Sequence, residues 1–444
     1  MPDFRFEDQR LTSYAGLIVF HPLFRRFALA ARLKRCFAHI KSGSVYGFHR
    51  VVLLLILLIV MGLPRLRDVR YAQDDPIVQR IVGLRILPDP STISRTLAQL
   101  DATSVEKVRA LSTGLVLERL QRENFARLTL DFDGSVLSTK GHAEGSAVGF
   151  NKVKKGARSY YPLFCTVAQT GQFFDMHHRP GNVHDSNGAG PFIEKCLATV
   201  RKTSPEATLE SRLDSAFFNE DLLPIFQRHG AEFSISVPFE RFAELKGMIE
   251  ARQKWHDGGG DWDYFETDWK PKSWDRRYRF IFVRKTVKRQ VKGPLQLDLF
   301  EPRDFDFEYK VILTNKKQAA QAVLHFHNGR GSQEATFGDA KQHAALAIIP
   351  TKHLAGNQIY TLCAMMAHNL AHELQMLAAP ANKRATAKRA AAWTFEKLDT
   401  LRHRLFQRAD RLTRPQGELT LTMSASKTAR QNLLRFLDAI ENAA

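Results

Sequence analysis

The spacing of apolar residues changes near residue 126. Upstream, residues 1 to about 120 read as helical. Arg25, Arg26, Arg32, Lys34 and Arg35 punctuate an early amphipathic segment, and an apolar run from Val51 to Leu63 follows. That run is thirteen residues, short of the ~20 a bilayer span needs, and Arg50 and Pro64 bound it, so a buried helix is expected. Pro76 to Leu84 is helix-like and breaks at Pro88-Asp89-Pro90. Ser91 is then placed to cap a second helix through Leu100, exposing Ser91, Thr92, Ser94 and Arg95.

From Ala126 the pattern alternates. Arg127 to Asp133 has period two, so Asp131 and Asp133 project to the same side before the Gly134-Ser135 turn. Tyr160 to Ala168 and Gln172 to His177 read as the next strands. A helix over Asn187 to Lys202, a strand from Ala207 to Leu213 reaching Asp214, a helix near Asn219 to His229 and a strand over Glu232 to Val237 follow. The order β-β-β-α-β-α-β fits an α/β, RNase H-like mixed sheet with flanking helices. Between about 240 and 306 a β-rich insertion interrupts it, marked by Gly258-Gly259-Gly260 and by Trp255, Trp262, Trp269 and Trp274 among interleaved cations from Asp261 to Arg289. The sheet resumes at Phe307 to Thr314, a short segment from Asn315 to Phe326 follows, and an Arg330 to Gln342 helix closes it. A Gln358 to Met376 helix is apolar enough to pack on that core. The predicted organisation is thus 1–120 helical, 121–240 first part of the core, 241–306 insertion, 307–380 second part, and 381–444 a basic helical tail.

Charge narrows the partner. Lys and Arg number 65 against 46 Asp and Glu, a net +19, which points to a polyanion. The two short helices around Pro88 then fit a helix-turn-helix unit able to enter a major groove; a plain helical subdomain fits them as well. Asp3, Glu7 and Asp8 interrupt any basic or apolar start, so no signal peptide is expected. Cys36, Cys165, Cys196 and Cys363 lack CxxC spacing and read as reduced packing residues of a cytosolic protein.

The stretch Phe326 to Lys341 carries the chemistry. On a helix, Arg330, Glu334 and Lys341 fall within ~40° of one face. A carboxylate between cations suits a site where the carboxylate holds a metal and the cations hold phosphates; a solvated stripe with i,i+4 pairing is the plain alternative. Asp133 and Asp214, at the ends of two strands, could join Glu334 as the hard oxygen ligands that two-metal phosphoryl transfer needs. They could equally cap turns. Asp131 rivals Asp133, since both face the same way. His177, His178 and His184 lack a closing ligand set for zinc.

The spacing Arg330, three residues, Glu334, six residues, Lys341 is similar to the Tyr-Arg-Glu-Lys signature of bacterial insertion-sequence transposases of the DDE type. Asp131 to Ser135 (DFDGS) resembles that family's first-aspartate motif and Arg212 to Phe218 (RLDSAFF) its second, with Arg179 to Ser186 (RPGNVHDS) similar to the loop between them. The signature tyrosine's place is taken by His327, an imidazole still able to contact a phosphate or base. The likeness covers roughly 125 to 375, plus the Pro88 to Leu100 region.

The resemblance implies cut-and-paste transposition. Asp133, Asp214 and Glu334 would hold two Mg²⁺ (or Mn²⁺), water would cut at the element end, and the freed 3′-OH would attack a second strand and later the target. Arg330 and Lys341 would neutralise the strand being cut. The partner would be double-stranded DNA, both terminal inverted repeats and target, bound by a homodimer near the bacterial nucleoid and away from membrane. Ser91, Thr92, Ser94 and Arg95 would read the ends. Trp262, Trp269 and Trp274, with Arg276 and Arg277, would meet DNA from the insertion, where relatives that form hairpins keep an aromatic for a flipped base; packing within a small β subdomain is the plain reading of these tryptophans. A DNA-binding protein without chemistry, or an RNase H-like nuclease without strand transfer, remain the other readings.

Overall fold

Alternation decides the centre of the molecule. In the computed structural model, which describes residues 10–41, 46–149, 151, 154–184, 187–286, 307–384, 390–424 and 426–443, the period-two segments form one nine-stranded mixed sheet. In chain order its strands are β1 (Arg127–Gly134), β2 (Leu163–Val167), β3 (Gln172–His177), β4 (Thr208–Leu213), β5 (Glu232–Val237), β6 (His256–Gly259), β7 (Trp262–Trp269), β8 (Tyr278–Thr286) and β9 (Phe307–Thr314). Side by side they run β6-β7-β8-β9-β5-β4-β1-β2-β3. Strands β1, β4 and β5 are parallel neighbours, and every other pairing is antiparallel. The block β3-β2-β1-β4-β5 is the expected RNase H-like sheet.

The tryptophan-rich segment does not stand apart from it. Strands β6 to β8 continue the same sheet through β9, which pairs with β5 from Val311 opposite Val237 to Thr314 opposite Ser234. The Lys288-Arg289 end of the cationic run, Asp185-Ser186 of the loop motif and the acidic start at Asp3, Glu7 and Asp8 lie outside the described residues.

Eight helices frame the argument: α1 (Phe48–Met61), α2 (Pro76–Val82), α3 (Pro90–Ala98), α4 (Ala102–Glu123), α5 (Ala189–Thr203), α6 (Ala320–Asn328), α7 (Gly331–His343) and α8 (Leu354–Ala378). Leu128, Leu130 and Phe132 of β1, Leu209 and Leu213 of β4, and Phe233 and Ile235 of β5 share one face and form an apolar core with Phe192, Ile193 and Leu197 of α5. The opposite face carries Thr129, Asp131 and Asp133 beside Glu210 and Arg212, and α6 and α7 lie over it. Here the two-residue period assigns one face to the core and the other to chemistry.

The apolar run folds as α1, buried from Val51 to Met61, as expected. It belongs to a second core that joins Ile93 and Leu97 of α3, Leu362 and Leu370 of α8, and Leu433, Phe436 and Ile440 of the C-terminal helix Lys427–Asn442. Among the described residues no single helix is long and apolar enough to cross a membrane. The chain ends also meet: Leu11–Thr12 pairs with Asp410–Thr413, which pairs with Thr420–Thr422. The tail, expected to be helical, therefore holds strands as well as its helix. All four cysteines are free and buried.

Several boundaries differ for local reasons. Helix α3 is capped by Asp89, whose Oδ1 accepts the Ser91 N–H at 2.9 Å, and not by Ser91. Pro90 then takes the first helical position, where its missing N–H costs nothing. The strand expected from Tyr160 to Ala168 is split at Tyr161-Pro162. Downstream of Asp214 the helix is only Leu223–Arg228, because Pro224 in its first turn offers no donor to an upstream turn. The segment from Asn315, expected as a spacer, contains α6, and the Phe326 to Lys341 stretch breaks between α6 and α7 near Gly329.

Candidate active site

Two parallel strands build the site as a ladder of paired side chains. Register places Thr129 opposite Glu210 and Asp131 opposite Arg212. The next step of that register brings Asp133, at the end of β1, level with Asp214, just past the end of β4. The first two rungs are satisfied internally. Thr129 Oγ1 donates to Glu210 Oε2 at 3.3 Å, and Lys316 and Arg127 also reach the Glu210 carboxylate. Arg212 grips Asp131 with both Nε and Nη2 at 2.6 Å, and both side chains are buried. Asp133 lies at the end of β1 and Asp214 follows directly on the end of its parallel neighbour β4, so both carboxylates lie at the same end of the sheet. Asp214 also accepts the Ala216 N–H at 3.0 Å, so it caps the turn that follows β4.

Arg212 also seats the helices. Its Nη1 donates to the Phe326 carbonyl at 3.2 Å, and its guanidinium lies over the Phe326 ring, 5.4 Å from the centroid. Gly329 leaves room for this contact: a Cβ at that position would lie 2.3 Å from Arg212 Nη1, whose guanidinium is held by Asp131. Gln333 then donates to the Asp131 carbonyl at 2.9 Å and fixes the first turn of α7 on β1. These contacts aim the polar face of α7 at the Asp133 end of β1.

There the expected stripe assembles. Arg330 Nη1 is 3.4 Å from Asp133 Oδ2, and its Nη2 is 3.9 Å from Glu334 Oε1. Asp133 is 19% exposed and Glu334 70%, so the cluster opens to solvent on the Glu334 side. Burial holds the Lys341 ammonium below its usual range, while the Asp133 carboxylate pushes it back up, which places this lysine within electrical reach of the aspartate. Arg330 thus links Asp133 to Glu334, Lys341 lies near Asp133, and Asp214 follows the end of the neighbouring strand β4. Asp131 lies one rung deeper, pushed up by burial and committed to Arg212. Three carboxylates offer only hard oxygen donors, the chemistry that fits Mg²⁺ or Mn²⁺.

A further cation was missed from the sequence. Lys310 of β9 donates to Asn328 Oδ1 at 3.0 Å; burial, and then Arg330, lower its pKa, with Glu334 opposing. The signal was a lysine directly before the apolar run Val311 to Leu313 of the strand.

Other assignments are corrected by burial. His327, expected to meet DNA, is interior: its Nε2 pairs with Ser236 Oγ at 2.8 Å and its Nδ1 with Ser234 Oγ at 2.9 Å. Burial drives its pKa well below the usual histidine value, so it is a neutral bridge between α6 and β5. Trp269 and Trp274 are also core residues. Trp269 packs edge-on against Phe242 and Phe280 and donates to Glu244, while Trp274 stacks on Phe218 at 4.7 Å. Trp262 is half-buried with Lys285 over its ring, and Arg276 and Arg277 are exposed. On α3, Ile93, Thr96 and Leu97 face inward, leaving Ser91, Ser94 and Arg95 exposed and Thr92 half-buried.

No curated protein matches the chain. Among solved structures it is similar to a piggyBac transposase synaptic complex with hairpin DNA, at 11% identity and a TM-score of 0.41, covering 97% of this chain and 85% of that one. A Mos1 transposase paired-end complex with the left transposon end matches over 44% of this chain and 60% of that one, at 11% identity and a TM-score of 0.17. The family model described as transposase DDE domain group 1 matches residues 3–444, and the chain therefore belongs to the DDE transposases.

Proposed function

We propose that this transposase moves a DNA element by cut-and-paste chemistry, with Asp133, Asp214 and Glu334 as the ligands of two Mg²⁺ or Mn²⁺ ions. The observation that carries this reading is Arg330, at the start of the Glu334 helix, 3.4 Å from Asp133 and 3.9 Å from Glu334, with Asp214 just past the end of the strand parallel to β1. When bound, the ions would supply Lewis acidity to the attacking and leaving oxygens of a phosphodiester. The protein's own groups do the rest. Arg330 presents a planar fork able to hold two phosphate oxygens, and its present contacts with Asp133 and Glu334 are those a metal would relieve. Lys341 and Lys310 add positive charge on either side, offsetting repulsion between carboxylates and DNA. Asp131 serves this site by holding Arg212, and through it α6 and α7, in place.

The bound DNA would include the element ends and the target, held by a homodimer, with the exposed side of α3 reading the ends. The chain's net charge and family favour that partner. The test is nicking and strand joining on an element-end duplex in Mg²⁺. Asp133→Asn, Asp214→Asn and Glu334→Gln should each abolish both while leaving DNA binding intact. Nicking without any joined product would reduce the protein to a nuclease, and normal nicking by Glu334→Gln would remove the reading.

A further inference from the structure

We propose that Asp339, His368 and His372 form a binding site for a transition-metal ion of the Zn²⁺ type, separate from the catalytic carboxylates. Asp339 lies on α7, five residues beyond Glu334, and the two histidines lie four residues apart on one face of α8. One ligand atom from each residue falls within 4.8 Å of the others. The His368 Nδ1 and Asp339 Oδ2 atoms are 3.5 Å apart, close to the ~3.4 Å between two ligands of a tetrahedral ion with 2.0–2.1 Å bonds.

The surroundings prepare these atoms for ligation. His368 Nε2 bonds the Gly171 carbonyl at 3.1 Å, and His372 Nδ1 bonds the Thr170 carbonyl at 3.0 Å. A carbonyl only accepts, so each of those nitrogens carries the proton. The lone pairs fall to His368 Nδ1 and His372 Nε2, the tautomers a metal requires, fixed by outer-shell carbonyls. Gly171 makes this approach possible: its φ is +60°, and a Cβ there would lie 3.1 Å from the His372 ring. Phe395 stacks on that ring at 3.8 Å. Asp339 Oδ1 is buried without a hydrogen-bond partner among the described residues. A 410 Å³ cavity lined by all three residues leaves room for water to complete the coordination. Two imidazoles and one carboxylate favour a borderline ion over Mg²⁺. Such an ion would tie the helix bearing Glu334 and Lys341 to α8 and to the turn after β2.

Metal binding by the full-length protein tests this directly. After chelation and dialysis, the wild type should take up about one equivalent of Zn²⁺ in competition with a chromophoric chelator. With Co²⁺ it should give the intense visible absorption of a tetrahedral site. His368→Ala, His372→Ala and Asp339→Asn should each weaken binding by at least the ~10–100-fold that losing even an outer-shell partner costs. Asp133→Asn should leave Zn²⁺ uptake unchanged, which separates this site from the catalytic one. The wild-type measurement needs no variant to fold. Absence of stoichiometric uptake, or uptake unaltered in a folded Asp339→Asn protein, would reduce the cluster to hydrogen-bonded packing.

Discussion

Arg212 Nη2 and Asp131 Oδ2 meet at 2.6 Å with 2% and 1% of their side chains exposed, one step along β1 from Asp133, a proposed metal ligand. A pair this deep is strongly destabilising to break on one side alone, because the survivor is a buried, uncompensated charge. Arg212→Ala should therefore lower unfolding free energy by about 3–5 kcal/mol. Arg212→Met combined with Asp131→Leu should recover much of the loss. Urea denaturation of the three proteins checks this, and an additive double variant would deny the coupling.

The same geometry separates two aspartates that alternation could not. Asp131→Asn should lower the melting temperature, since it loses the bidentate partner of Arg212. Asp133→Asn should nick no DNA at an almost unchanged melting temperature, because its carboxylate sits at the exposed end of the ladder. The reverse pattern would exchange their roles.

Cations around Glu334 should matter to rate more than to folding. Losing one preorganised charge at a scissile phosphate costs about 10²–10³ in rate, or ~2.7–4 kcal/mol in the barrier. Arg330→Ala and Arg330→Lys should both fall in that range in single-turnover cleavage, since an ammonium cannot replace the planar fork. Lys341→Ala and Lys310→Ala should fall below Arg330→Ala in severity. Full cleavage by Arg330→Ala would leave the stripe as a surface ion pair.

Much of this site was legible because it depends on period. Two-residue alternation placed Asp133 and Asp131 on one face, and the 3.6-residue period placed Arg330 near Glu334. Placement beside the Gly134-Ser135 turn favours Asp133, and what alternation cannot supply is that Asp131, deeper along the strand, is paired with Arg212. It also cannot reveal pairing partners, so His327 read as a possible DNA contact until Ser234 and Ser236 of β5 were seen to occupy both ring nitrogens. Trp269 and Trp274 were ambiguous for the same reason: Trp269 packs on Phe280 of the neighbouring strand and Trp274 on Phe218, far away in sequence. The His368 and His372 spacing was present in the sequence, but Asp339 joins them only through the packing of α7 on α8.

His327 gives a pH dependence of definite sign. Its folded-state pKa is depressed by burial, so the folded protein holds it neutral where the unfolded chain takes up a proton. The stabilisation is complete above the unfolded value near 6.5 and is lost as pH falls below it, by up to about 1.4 kcal/mol per unit. Unfolding free energies measured from pH 7.5 to 5 should show this slope, and His327→Gln should flatten it by that amount. An unchanged slope would place the acid sensitivity elsewhere.

End recognition is best tested in the intact chain, because the core under α3 is completed by α8 and the C-terminal helix. Arg95 is exposed and lies back along its own helix, with Nε 3.3 Å from the Ser91 carbonyl and Nη2 3.3 Å from Thr92 Oγ1. Neither contact is buried, so both can be exchanged for DNA at small cost. If Arg95 reads a base edge, Arg95→Ala should cost ~1–3 kcal/mol on the element-end duplex and much less on random duplex. If it contacts only phosphate, both duplexes should weaken alike, and the slope of log affinity against log salt should fall by about one. Fluorescence anisotropy at three salt concentrations distinguishes these outcomes. Equal affinities for wild type and variant on both duplexes would remove the exposed face of α3 from the DNA interface and leave the helix as support for the core beneath it.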